Sequence, residues 1–131
     1  MNQLLKDTKI IAVVGLSDKP SRPSYDVARY MQQAGYRIIP VNPQCSEILG
    51  ETCYSDLESI PEKVDMVNVF RKPEDCFSVA KDAVKIGAKS LWLQLGIINQ
   101  EAADYAKDHG LTVVMDRCIK VEHKNQQSST N

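Results

Sequence analysis

Five short apolar runs alternate along the chain with segments whose apolar residues recur at helical spacing. The runs are Ile10–Val14, Arg37–Val41, Asp65–Phe70, Ser90–Leu95 and Leu111–Met115. Runs of this length that are rich in valine, isoleucine and leucine are typical of strands buried on both faces of a sheet. The pattern therefore predicts five strands.

Three helices are predicted between these strands. The first begins at Pro23, where a proline costs no hydrogen bond, and ends before Gly35. The second covers Glu74–Ile86, and the third is capped by Asn99 and runs to about His109. Alternating strands and helices favour right-handed βαβ crossovers. The predicted fold class is α/β: a single Rossmann-like, doubly wound, mostly parallel five-stranded sheet with helices on both faces.

Two regions fall outside this alternation. Between the second and third strands, the sequence predicts a short strand near Glu51–Tyr54 and one helical turn at Ser55–Glu58. Residues 123–131 are polar and have no aliphatic side chain to bury, so we predict a disordered tail there. The folded domain is accordingly expected to span residues 1–122.

The bulk composition is ordinary for one globular domain, with 131 residues, 43% hydrophobic and 25% charged. The formal net charge of -1 gives no general attraction to nucleic acid or to an anionic membrane. The N-terminus lacks a secretory signal, and no apolar run approaches the roughly 18 residues of a membrane span. We therefore expect a cytoplasmic protein. Its cysteines form no C-x-x-C pair and are expected to be free thiols.

Glycines and polar residues collect where the predicted strands end. In an open α/β sheet, ligands bind outside these carboxyl ends. The segments concerned are Gly15-Leu16-Ser17-Asp18-Lys19, Asn42-Pro43, Phe70-Arg71-Lys72-Pro73, Gln94-Leu95-Gly96 and Asp116-Arg117-Cys118. Loops are commonly polar, so the clustering indicates a site without naming its ligand.

The first of these loops is typical of a phosphate-binding turn. Gly15 allows a tight turn, and the helix start that follows presents a positive dipole end to an anion. Lys19 and Arg22 add positive charge that suits a ligand with several phosphates. The alternative is an ordinary strand-to-helix turn with solvated basic residues.

A nicotinamide dinucleotide is disfavoured as the ligand. The glycine positions of the fingerprint G-x-G-x-x-G hold Gly15, Ser17 and Pro20, so two of the three glycines are missing. The acidic residue that usually binds the ribose after the second strand is also missing, because Asn42-Pro43 stand there.

Cys118 is the one weak candidate for a catalytic residue. The neighbouring Arg117 would favour a thiolate, but a nucleophilic cysteine also needs a base. The chain has only His109 and His123, and neither is clearly placed to serve Cys118. No metal site is predicted.

Several motifs in one order resemble a known family. VVGLSDKPSRPSYDVARYM, IIPVNP, ILGETCYSDLESIP, VDMVNVFRKPE and LWLQLGIINQEAADYAKDHGLTVVMDRCIKVE are similar to the small stand-alone CoA-binding domain proteins of bacteria and archaea. The resemblance covers about Thr8 to Glu122. It implies the Rossmann-like CoA-binding domain that also begins the succinyl-CoA synthetase α subunit and the ADP-forming acyl-CoA synthetases.

The resemblance also implies roles for individual residues. By this resemblance, the CoA phosphates would contact the loop Gly15, Leu16, Ser17, Asp18 and Lys19, with Arg22 nearby. Asn42 and Pro43 would lie by the adenosine, and Phe70 and Arg71 would line the pantetheine or the pyrophosphate. Gln94 and Gly96 match the segment that closes the site in the synthetases. The synthetases have a further domain with a phosphorylated histidine that this sequence does not show. We therefore expect binding of coenzyme A or an acyl-CoA without a catalytic domain.

Two other functions remain open at this point. One is an enzyme, either an NAD(P)-binding oxidoreductase or an acyl transferase that depends on Cys118. The other is an interaction module that has lost its ligand. A protein partner or a homo-oligomer is compatible with the sequence.

Overall fold

The computed structural model describes residues 2–129, and the side chains of residues 3–127. Seven strands are present in this range: β1 Ile10–Val14, β2 Arg37–Val41, β3 Glu47–Ile48, β4 Glu51–Thr52, β5 Met66–Val69, β6 Ser90–Leu93 and β7 Thr112–Met115. The α-helices are α1 Asn2–Asp7, α2 Pro23–Gln33, α3 Cys76–Lys85, α4 Gln100–Asp108 and α5 Ile119–Ser129. Two 3-10 turns, Leu57–Ser59 and Pro73–Asp75, complete the regular elements.

Five of the strands form one parallel sheet in the order β2-β1-β5-β6-β7, and β3 and β4 form a separate antiparallel hairpin. The last residues of neighbouring strands are paired: Val14 with Val41 and Val69, and Leu93 with Val69 and Met115. All five carboxyl ends therefore lie along one edge of the sheet. The predicted five-stranded Rossmann-like fold is confirmed.

The two faces of the sheet bury different helices. Along β1, Ala12 and Val14 join the core cluster beneath α3 and α4, while Ile11 and Val13 join the cluster beneath α1, α2 and α5. Small residues, such as Ala80 of α3, let the helices approach the strands closely because no long side chain intervenes. None of the helices in residues 2–129 has the length and hydrophobicity that crossing a membrane requires.

The predicted disordered tail is wrong for residues 123–129, which lie in α5. The prediction counted aliphatic residues, but this part of α5 is held by polar ones: His123 and Gln126 are buried, and the His123 Nδ1 atom lies 2.8 Å from the Tyr30 hydroxyl. Lys120 adds a 2.7 Å ion pair with Asp26 of α2. Residues 130–131, also assigned to the tail, lie outside the described residues.

Smaller differences concern the ends of elements. The second predicted helix begins as a 3-10 turn at Pro73 and becomes α-helical only at Cys76. Helix α1 was not predicted, because its six residues show too short a pattern. The predicted cap of α4 is confirmed, since the Asn99 Oδ1 atom accepts a 2.9 Å hydrogen bond from the Ala102 N–H.

Candidate functional site

The loop after β1 is held in a fixed shape by its own hydrogen bonds. Gly15 has a φ of 86°, and its N–H donates to the Val41 carbonyl at 2.9 Å. A Cβ built on Gly15 would collide with the carbonyl oxygen of Phe70, at the end of β5. Farther along, the Ser17 N–H donates to the Ser24 hydroxyl in the first turn of α2 at 3.0 Å. Only a glycine at position 15 allows the loop to lie this close to the Phe70 carbonyl at the end of β5.

Asn42, at the end of β2, supports the same loop from the other side. Its Nδ2 atom donates to the Leu16 carbonyl at 3.0 Å, and its Oδ1 atom accepts from the Gln44 N–H at 2.9 Å. The amide nitrogen and the amide oxygen of Asn42 are therefore both hydrogen-bonded to backbone groups. Asn42 thus positions the loop and shapes the turn at Pro43.

A wide cleft of about 610 Å³ opens in front of this loop. The residues that line it are Gly15, Ser17, Arg22, Pro23, Ser24, Phe70, Arg71, Lys72, Asp75 and Ile97. Three of them are cations and one is an acid. Pro23 and Ser24 belong to the first turn of α2, so the positive end of the helix dipole lies at the cleft. No side chain caps this end of the helix. The cleft can accept an anionic group.

A smaller and more enclosed cavity of about 240 Å³ adjoins the cleft. Its lining comprises Val14, Val41, Pro43, Ser55, Asp56, Leu57, Arg71, Asp75, Ser78, Val79 and Asp82. Apolar side chains form much of its wall, with carboxylates and hydroxyls between them. Arg71 and Asp75 line both spaces, so the cleft and the cavity are neighbours with two wall residues in common.

Arg71 borders both of these spaces. Its guanidinium lies 3.3 Å from the Asp75 carboxylate, one helical turn later, and both side chains are about two-fifths exposed. An ion pair so exposed is worth little stability, so the guanidinium can exchange its partner at little cost. A ligand anion in the cleft could recruit it.

The structure brings six of the sequence-predicted residues to this site and leaves the others outside its lining. Gly15, Ser17, Arg22, Phe70 and Arg71 line the cleft, and Pro43 lines the cavity. Leu16 is fully buried in the core, and Asp18 and Lys19 are exposed beyond the cleft. Asp18 instead lies beside Cys45, where burial raises the pKa of the thiol and the carboxylate adds to the rise.

The segment after β6 is arranged differently from the expectation. Gln94 is 4% exposed and points inward: its Oε1 atom accepts from Asn68 Nδ2 at 3.2 Å and from the Ile119 N–H at 3.0 Å. The Gly96 N–H donates to Asp116 Oδ1 at 2.7 Å. From this segment it is Ile97 that reaches the cleft.

Comparison with known proteins identifies the family. The model of the CoA binding domain matches residues 9–124. The chain belongs to the CoA-binding domain family.

Two similar proteins place this CoA-binding domain in context. The uncharacterized protein YneT of Bacillus subtilis is 47% identical over 123 residues, covering 94% of this chain and 91% of that protein. Acetate–CoA ligase [ADP-forming] II of Archaeoglobus fulgidus is 27% identical over 117 residues, covering 80% of this chain but 17% of the ligase. The match to the ligase is thus to a small part of it.

Solved structures agree with this relationship. A hypothetical protein from Pyrococcus horikoshii OT3 superposes with a TM-score of 0.93 at 38% identity, covering 95% of this chain and 88% of that one. The apo dinucleotide-forming acetyl-coenzyme A synthetase 1 of Ca. Korarchaeum cryptofilum superposes with a TM-score of 0.72 at 25% identity. This match covers 82% of this chain and 26% of the synthetase chain.

Within this CoA-binding domain, Cys118 lies outside the main cleft. It is half-buried against the core and lines a separate shallow pocket with Leu95 and Val121. No hydrogen bond joins its thiol to a base among the residues described. His123 contacts the Tyr30 hydroxyl, and the His109 Nδ1 atom lies 2.8 Å from the Tyr105 carbonyl oxygen.

Sequence reasoning missed several residues that line the site, among them Ser24, Ser78 and Ile97. Ile97 follows directly after the predicted segment Gln94-Leu95-Gly96, whereas Lys72 belonged to the predicted segment Phe70-Arg71-Lys72-Pro73 and does line the cleft. Asp75, Ser78 and Asp82 carried a usable signal, since their spacing of three and four residues places them on one helical face.

Proposed function

We propose that this protein binds coenzyme A or an acyl-CoA along the carboxyl edge of its sheet, as a binding module. The observation that carries the proposal is a cationic cleft beside an enclosed, partly apolar cavity, with Arg71 in the lining of both. Coenzyme A matches these two spaces, because its phosphates suit a cationic cleft and its planar base suits a partly apolar cavity. Its pantetheine is a long uncharged arm. Membership of the CoA-binding domain family supplies the ligand class.

The phosphates are assigned to the cleft. Arg22, Arg71 and Lys72 provide three cations there, and the start of α2 adds its dipole. The Gly15 turn lets the backbone approach the ligand without a side chain between them.

The adenosine is assigned to the smaller cavity. Val41 and Pro43 form its wall at the end of β2, where folds of this class hold an adenosine. Val79 of α3 contributes a further apolar side chain to the lining. The pantetheine arm then leaves through the cleft, past Phe70 and Ile97.

Isothermal titration with coenzyme A, dephospho-CoA, NAD and ATP tests the proposal. We expect coenzyme A to bind at least tenfold more tightly than NAD. Equal affinities for coenzyme A and NAD would contradict it. Mass spectrometry of the protein purified under native conditions gives an independent check, since retained coenzyme A would appear as an added mass.

A further inference from the structure

The smaller cavity contains one carboxylate that differs from its neighbours. Asp56 caps the 3-10 turn Leu57–Ser59, where its Oδ1 atom accepts from the Ser59 N–H at 2.9 Å and the Ser59 hydroxyl at 2.7 Å. Asp75 pairs with Arg71. Among the described residues, no hydrogen bond or salt bridge engages the carboxylate of Asp82.

Asp82 is also partly shielded from water. It is half-buried on α3, one turn after Ser78, and both line the cavity. Burial raises the pKa of its carboxyl, and the nearby carboxylates of Glu58 and Asp56 act in the same direction, against Lys85 and Lys81 on its own helix. A partly desolvated carboxylate without a partner favours a ligand that donates hydrogen bonds to it.

The shape of the cavity restricts what that donor is. Five apolar residues contribute to its lining: Val14, Val41, Pro43, Leu57 and Val79. Apolar walls beside a carboxylate that has no partner suit a flat ring that carries an exocyclic amino group. They do not suit a phosphate, which the carboxylates would repel.

We propose that Asp82 selects the base of the bound nucleotide by accepting a hydrogen bond from the exocyclic amino group of adenine. This inference rests on the proposed function, because it takes the adenosine to occupy the cavity. An ionised carboxylate has only acceptors. Hypoxanthine carries a carbonyl oxygen where adenine carries the amino group, so two acceptors would face each other and remain unpaired.

The test compares coenzyme A with its deaminated form, in which hypoxanthine replaces adenine. For the wild-type protein, calorimetry should show coenzyme A binding about tenfold more tightly or better. Asp82→Asn keeps the shape but offers both a donor and an acceptor, so this preference should fall to within about twofold. The exposed Asp108→Asn, on α4, is the matched control and should keep the wild-type ratio.

The ratio of the two affinities is the decisive readout. A change in net charge affects both ligands equally, and so does a loss of folded protein. Equal binding of the two ligands by the wild type, or an unchanged preference in Asp82→Asn, would overturn the inference while the proposed function stands. Absence of any coenzyme A binding by the wild type would overturn the proposed function and this inference with it.

Discussion

Gly15 and Phe70 are in backbone contact across the start of the site, so that a Cβ on residue 15 would overlap the Phe70 carbonyl oxygen. The Phe70 N–H meanwhile donates to the Val14 carbonyl at 2.8 Å. The first loop is therefore seated on the end of β5 by contacts on both sides of Phe70. The shape of this loop therefore depends on its packing against Phe70 as well as on the turn at Gly15.

Gly15→Ala should destabilise the protein more than the same change at another glycine of positive φ. Gly110 is the matched control, because its φ is 90° and a Cβ there would meet nothing within 4 Å. Both variants carry the strain of positive φ, of order 1–3 kcal/mol, but only Gly15→Ala adds the collision. Urea unfolding should show an excess loss of at least about 1 kcal/mol in Gly15→Ala. Equal losses would mean that the loop shifts freely.

Arg71→Ala should weaken coenzyme A binding by about tenfold, because a charged hydrogen bond to phosphate is lost. Arg29→Ala is the control: Arg29 is also exposed and pairs with a carboxylate on its own helix, Asp26, at 3.4 Å. Calorimetry at constant ionic strength should find that Arg29→Ala binds coenzyme A with the affinity of the wild type. An equal effect of both variants would indicate general charge attraction rather than a contact at the site.

The residues at the strand ends show how far sequence reasoning reached. It located the carboxyl edge correctly, because apolar runs and turn residues determine where buried strands stop. It could not tell which side chains face the cleft. Leu16 and Gln94 both follow strands, yet both turn into the core, since hydrogen bonds and packing with distant elements decide their orientation.

Gln94→Leu tests this distinction between a structural and a binding residue. The change removes the acceptor for the Ile119 N–H and one acceptor for Asn68 Nδ2, in a buried place. The free energy of unfolding should fall by about 1–3 kcal/mol. Where the protein remains folded, its affinity for coenzyme A should stay within about twofold of wild type. A large loss of affinity without loss of stability would return Gln94 to the binding site.

Helix α5 illustrates a second limit of the sequence. Its residues lack an aliphatic stripe, and its contacts with α2 are made by pairs nearly a hundred positions apart, Tyr30 with His123 and Asp26 with Lys120. Such pairing leaves no periodic signal along the chain. Only the folded structure shows that these polar side chains meet.

His123 should make the stability of the protein depend on pH. Burial lowers its pKa below the ordinary value of 6.5, so the unfolded chain binds the proton more readily than the folded one. Stability is therefore full above about pH 6.5 and falls as the pH decreases through the interval down to the folded-state pKa. The Tyr30 and Tyr36 rings face the imidazole edge-on, and the ammonium groups of Lys120 and Lys124 lie over Tyr30.

Melting temperatures at about pH 7.5 and about pH 5.5 measure this effect. The wild type should melt at the lower temperature in acid, and His123→Gln should show a smaller difference between the two pH values, because the titrating group is gone. His109→Gln is the control, since His109 is exposed at the end of α4 and should leave the wild-type difference intact. An undiminished difference in His123→Gln would assign the acid sensitivity to other groups, and His123 would then contribute only its contact with Tyr30.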